Sequence, residues 1–209
     1  MRRLVVVVAA AAAVLLAGCA ALEGAREVMP VEGWGPYQDA YDQWTRHDSI
    51  HRDLGLVLEA DATLRSPQFQ EAYLRRYARL YNVREGELER LLAADRELTG
   101  RELRFVLVAQ TGDRKWNDFD KPDSIWRIYL QNERGERLPL TSRRRLEKRT
   151  ELAGFFRLGP WDEVYELSFD LTGEEAKDFS TRRLTLILAS VLGEAQFSWD
   201  AMVVGRQGT

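Results

Sequence analysis

At 209 residues the chain has the length of one domain with a sizeable core, and 45% of its residues are hydrophobic, as in a globular protein. Thirty basic against 33 acidic residues give a formal charge of −3, without the basic excess that nucleic-acid binding needs. A single cysteine excludes an intrachain disulfide framework and a multi-thiolate metal centre.

The chain begins Met1-Arg2-Arg3, followed by an unbroken apolar run of 14 residues from Leu4 to Ala17. A positive start, a short apolar core and small residues form the secretory pattern. The run falls short of the about 20 residues that span a bilayer. It closes on Leu16-Ala17-Gly18-Cys19, where an ordinary secretory peptide would end in an A-x-A-like site. Over residues 1–19 the sequence resembles the lipobox signal of bacterial lipoproteins. The resemblance implies a diacylglycerol on the Cys19 thiol, cleavage before Cys19 and acylation of the new amine. Two or more acyl chains anchor a protein stably. Ala20 stands where an aspartate commonly retains such proteins in the inner membrane, so the resemblance implies the outer membrane, facing the periplasm. A cleaved secretory peptide with an incidental cysteine, or an uncleaved anchor, is the plainer alternative. Loss of residues 1–18 removes two arginines and brings the charge to −5.

Residues 19–35 carry Gly24, Pro30, Gly33 and Gly35 and few large apolar side chains, as a tether does. From Pro36 a helix is predicted, with Tyr37, Tyr41 and Trp44 on one face. From Ile50 to Leu64 apolar residues fall on nearly every second position, the pattern of a strand with one buried face. Ser66-Pro67 reads as a helix cap and first turn, and Phe69, Ala72, Tyr73, Tyr77 and Leu80 form a stripe. Asn82 with Glu85 resembles a capping box for a second helix, striped by Leu88, Leu91, Leu92 and Leu98 and closed near Gly100. Both stripes should cover a sheet, with Tyr77 and Leu91 buried.

Strands follow: Leu103 to Ala109; Ile125 to Leu130; a turn at Glu133–Glu136 into a short strand ending at Pro139; Val164 to Phe169; and Leu184 to Leu192 and Ala195 to Val204 about Gly193-Glu194. About seven short strands at these spacings read as a sandwich. With Trp126 and Trp199, this half is similar to immunoglobulin-like β-sandwich modules of envelope lipoproteins; the sandwich cysteines of antibody domains are missing. The expected fold is therefore α+β: an antiparallel immunoglobulin-like β-sandwich with a helical hairpin inserted between its first and second strands. Residues 1–18 would be the signal peptide, 19–35 the tether and 36–209 one globular domain. The hairpin would fill about 66–99 and the sandwich 48–64 and 101–204.

Chemistry-bearing residues are sparse. His47 and His51 could share a metal ion four apart on a helix, but on a strand that spacing is about 13 Å. Asp113, Asp118, Asp120 and Asp123, with Asn117, crowd one loop, the residue type that binds hard cations. EF-hand spacing is absent and Lys115 and Lys121 interleave, so asparagine and aspartate capping their own turns is the plainer reading. Arg143, Arg144, Arg145, Lys148 and Arg149 form one basic cluster. It could meet lipid phosphates or a partner; it could equally be an edge strand guarded by charge. No G-x-S-x-G elbow is present, and Glu174-Glu175 is an adjacent pair in a turn. Trp34 and Trp116 are the tryptophans expected to meet water.

These features predict a non-enzymatic envelope lipoprotein that binds a protein or scaffold partner. Alternatives are a lipid or small-ligand carrier with a cavity between sheet and hairpin and, third, an enzyme. The expected partners are the membrane, through the Cys19 lipid, and an envelope protein. Nucleic acid and cofactors are not expected.

Overall fold

The computed structural model describes residues 34–173, 176, 179 and 183–200. Cys19 and its lipobox lie outside the described residues, as do Glu174, Glu175 and the expected strand end at 201–204.

The described chain is α+β, with two antiparallel sheets and four α-helices. Helix α1 (Gly35–Trp44) runs into strands β1 (Thr45–Arg52) and β2 (Gly55–Leu64). Helices α2 (Pro67–Leu80) and α3 (Glu85–Thr99) precede β3 (Glu102–Thr111). Strands β4 (Arg127–Asn132), β5 (Arg137–Pro139) and β6 (Ser142–Arg145) lead to the single-turn helix α4 (Arg149–Leu152). The chain then forms β7 (Glu163–Asp170), β8 (Arg183–Ser190) and β9 (Gly193–Asp200). One sheet has the order β1-β2-β3-β7-β6 and the other β5-β4-β8-β9.

The sheets pack face to face through the residues whose alternation is legible in the sequence. Phe105, Leu107, Tyr165 and Leu167 of the first sheet are fully buried, as are Leu130, Leu186 and Phe197 of the second. Phe105 lies 5.3 Å from the Trp199 ring. On β3 the opposite face is buried as well, at Val106 and Val108. An aromatic layer belonging to the helices explains this: Tyr37 packs on Phe69 and Phe155, and Tyr73 lies 4.4 Å from Phe155. A strand covered on both faces reads as a continuous apolar run.

The expected single strand 50–64 is a hairpin. Arg52 pairs with Gly55 around Asp53 and Leu54, and Asp53 has a positive φ of 56°. A two-residue turn should shift the face parity between its strands. A register shift between Ile50 and His51 restores it, so Ile50 opposes Leu58 with both buried. Alternation therefore passes through a turn unbroken. The helical hairpin consequently lies between the second and third strands, not the first and second, and the described strands number nine.

Ser66 caps α2 as expected, its Oγ accepting the Phe69 N–H at 3.1 Å. Asn82 does not open a capping box. Its φ is +52°, and the Val83 N–H donates back to the Ala78 carbonyl at 2.9 Å. Asn82 thus ends α2 with a left-handed residue, which asparagine adopts at low cost. The hairpin also covers less sheet than expected. The α2 stripe joins the aromatic layer through Phe69 and Tyr73. Leu88 and Leu92 of α3 instead bury against Ala78, flanked by Leu74 and Val83. Tyr77 and Leu91 are only half-buried, and Leu98 is exposed.

A polar chain fastens α2 and α3 to the first sheet. Arg65 reaches Glu166 at 2.7 Å and Gln70 at 2.8 Å; Gln70 and Arg104 both donate to Asp95 at 2.5 Å. Trp34, expected to meet water, is buried against Tyr37 and Tyr41, with the Arg76 guanidinium 5.6 Å from its ring. Trp116 is half-buried.

Candidate interaction surface

A sheet edge presents unpaired backbone groups unless something covers them. At one side of the sandwich the two sheet edges cover each other. Asp48 of β1 accepts the Gln196 N–H at 2.7 Å, and Arg46 donates to the Ser198 carbonyl at 2.9 Å. On the second sheet, β5 is three residues long and ends in Pro139. Strand β6 remains, at the end of the first sheet.

The register of β6 decides which backbone groups are free. The Leu146 N–H donates to the Val164 carbonyl at 2.8 Å, and Arg144 opposes Glu166. Alternate residues of an antiparallel pair bond the neighbouring strand. Arg143 and Arg145 therefore turn their N–H and C=O groups away from β7. The basic cluster thus lies on an edge strand and the turn after it, as one of its two sequence readings required.

The five basic residues do not act as one patch. Arg144 pairs with Glu166 at 2.8 Å on the outer face of the sheet. Arg145 bends to the other side. Its Nη2 donates to the Asn117 carbonyl at 3.0 Å and to the Tyr165 hydroxyl at 3.2 Å, and it lies 3.5 Å from Asp120. Its Nε is buried without a hydrogen-bond partner. Burial raises the Tyr165 phenol above its ordinary range. Lys148 pairs with Glu151 at 3.3 Å. Arg149 donates to the backbone carbonyls of Asp162 and Gly159, holding the turn before β7. Arg143 makes no ion pair among the described residues.

Two grooves follow the segment from Arg144 to Arg149. One, about 360 Å³, has an apolar wall that includes Tyr77, Tyr81 and Leu146 and a charged wall of Arg144, Lys148, Glu147 and Glu151. Tyr77 and Tyr81 stack at 4.6 Å, and Tyr81 is exposed. The other, about 600 Å³, is walled by Arg114, Arg145, Arg149 and Trp161. Trp161 is 63% exposed, with the Arg114 guanidinium 4.6 Å from its ring. Trp161, outside the two tryptophans expected to meet water, is therefore a surface residue where a core one was expected, and Tyr81 carried no expectation. Tyr81 continues the four-residue spacing of Tyr73 and Tyr77, and Trp161 follows Gly159-Pro160 outside any periodic run; both signals were available.

A groove of about 900 Å³ lies elsewhere, lined by Tyr37, Ala72, Ala78, Val83 and Leu88 together with Arg75 and Glu85. It opens among the helices. Between the hairpin and the sheet, Phe69, Tyr73 and the Arg65–Asp95 chain fill the space.

The aspartate loop spends its carboxylates locally. Asp113 accepts the Lys115 N–H at 3.1 Å and pairs with the Lys115 ammonium at 2.7 Å, contacts that hold its carboxyl below the usual range. Asp118 accepts the Ser124 hydroxyl at 2.8 Å, and Asp123 is exposed. Gly112 in this loop is a packing requirement, since a Cβ there would lie 2.0 Å from the Leu56 carbonyl oxygen. His47 and His51 both lie on β1, which starts at Thr45, ahead of the expected strand start at 48. The His47 imidazole sits 2.7 Å from the Asp61 carboxylate across the hairpin, while His51 is exposed. Among the described residues no group of three or more histidine, cysteine or acidic side chains could hold a metal ion, and no helix is long and apolar enough to cross a membrane.

Fold and surface together define an α+β domain of two antiparallel sheets whose basic strand β6 has no strand partner on its outer side among the described residues. The chain matches no protein-family model, no curated protein and no solved structure.

Proposed function

We propose that this chain is a bacterial envelope lipoprotein, anchored by lipid on Cys19 in the outer membrane and facing the periplasm, whose domain is a non-enzymatic protein-interaction module. The observation that carries the anchoring is Leu16-Ala17-Gly18-Cys19 after two arginines and an apolar run too short to span a bilayer. The interaction role rests on the β6 edge, unpaired by any strand among the described residues, between grooves that hold Tyr81 and Trp161, because aromatic and arginine side chains anchor protein interfaces. Kinship of the sandwich with immunoglobulin-like modules belongs to the same proposal. Its support is two antiparallel sheets closed over Trp126 and Trp199.

Metabolic labelling with a fatty-acid analogue tests the anchor. Label should appear on the wild-type chain and vanish with Cys19→Ser; label retained on the variant removes the lipobox reading. Crosslinking in intact cells, followed by recovery from membranes, tests the interaction role. One discrete protein adduct, weakened by Trp161→Ala or Tyr81→Ala, is the expected result.

The carrier reading has one observation in its favour, the groove of about 900 Å³ among the helices. Its apolar centre, Ala72, Ala78, Val83 and Leu88, would take an acyl chain. Co-purification of lipid with the protein, lost on filling the groove by Ala72→Trp, is its signature.

A further inference from the structure

The geometry of β6 points to a specific occupant, and we infer that this edge receives an extended acidic segment of a partner protein as the sixth strand of the first sheet. The inference deepens the interaction-module reading and depends on it.

The first argument is the backbone. The register of β6 directs the two N–H and two C=O groups of Arg143 and Arg145 away from β7, on the side where no described strand pairs. Strand addition uses such a row for affinity and alternate side chains for specificity. The second argument is charge. Five of residues 143–149 are basic and one is acidic, in a chain of net charge −3. Arg143 pairs with no acid among the described residues. Arg144 and Lys148 stay largely exposed, at 65% and 77%, despite their partners. The third argument is the groove of about 360 Å³ on the outer face, beside Arg144. Side chains of an added strand alternate between faces. One set would meet Arg143; the other would enter the groove of Tyr77, Tyr81 and Leu146. The occupant is thus a segment alternating carboxylates with apolar side chains.

Two other occupants fit less well. A second copy pairing through the same edge would set Arg143 to Arg145 against themselves, and like charges across a strand pair repel. A lipid surface would use the guanidinium charges but not the backbone row.

Fluorescence anisotropy on the full-length protein in nonionic detergent provides the test. The probe is a labelled ten-residue peptide of alternating glutamate and valine. A strand offers only alternate N–H groups to one neighbour, so two further peptides carry N-methyl groups on the odd or the even residues. We expect saturable binding by the parent peptide. One N-methylated peptide should bind as well as the parent and the other about tenfold more weakly, as should a lysine–valine peptide. Arg143→Glu should weaken the parent peptide about tenfold with an unchanged circular dichroism spectrum. Equal binding by both N-methylated peptides would reduce the effect to charge and overturn strand addition. So would displacement of the peptide by phosphatidylglycerol vesicles together with that equality, which assigns the surface to lipid. No binding at all leaves β6 a charge-guarded edge and overturns the inference. A chain that fails this test yet is lipidated and crosslinks in the envelope keeps the broader proposal, so the two failures remain distinguishable.

Discussion

The Asp48 carboxylate accepts the Gln196 backbone N–H at 2.7 Å, so a side chain of one sheet closes the edge of the other. Strand β9 ends the second sheet, and Arg46, donating to the Ser198 carbonyl, is the other side chain of β1 that closes its edge. Asp48→Ala should cost about 1 kcal/mol, the net worth of an ordinary hydrogen bond. The Gln196 amide should then exchange with solvent faster, while Asp48→Asn, which keeps an acceptor, should change less. Denaturant unfolding and amide exchange measure both. An unchanged Gln196 exchange rate would mean the edge is closed by other contacts.

The Arg65–Gln70–Asp95–Arg104 chain carries a larger penalty. Asp95 and Arg104 are only 11% and 9% exposed, and removing Asp95 leaves the buried Arg104 guanidinium with the more distant Glu102 carboxylate, at 3.4 Å, as its remaining acid. Asp95→Ala should therefore destabilise by about 3 kcal/mol or more. Replacing both residues with apolar ones of similar size, Asp95→Leu with Arg104→Met, should cost less than the single change. A double variant as unstable as the single one contradicts this account.

The helical hairpin divides into buried and idle leucines. Leu92 is 5% exposed against Ala78, whereas Leu98 is 45% exposed. Leu92→Ala should cost about 2–3 kcal/mol, and Leu98→Ala less than about 0.5 kcal/mol. Similar losses at both positions, by urea titration, would place the α3 stripe against a surface other than α2.

Alkaline pH should unfold the domain cooperatively. Burial and the nearby Asp61 carboxylate push the Tyr41 phenol up to about 12, and burial raises Tyr37 and Tyr165 as well. A tyrosine ionises near 10 in the unfolded chain, so folding holds these groups neutral. The Tyr41 contribution is complete below about pH 10 and is lost as pH rises from there through about 12. Tyrosinate absorbance should include a late step coincident with loss of near-ultraviolet dichroism. Tyr41→Phe should move that step to higher pH. Titration of every tyrosine before any unfolding would disprove this burial.

Period alone determined much of this protein. The Tyr37/Tyr41/Trp44 face, the Ser66 cap, the alternation of β3 and β7 and the turn at Glu133–Glu136 depend on neighbours within a few residues, and local spacing records such neighbours faithfully. The N-terminal run and Leu16–Cys19 are likewise a property of the sequence itself. Tertiary structure decided what parity and charge leave open. The bulge at Ile50 cancelled the parity shift of the Asp53 turn, so one long alternating run concealed two strands. Asn82 is compatible with starting one helix or ending another, and the Val83–Ala78 bond chose the ending. Leucine spacing on α3 says that one face is buried but not against what; Ala78 of α2 supplied the surface. The basic run from Arg143 to Arg149 carries the same charge on an inner or an outer strand. Its place at the end of the first sheet follows from the pairing of β3 with β7 across the 51 residues of intervening chain, 112–162, and no local pattern encodes which strand is left at the sheet's end.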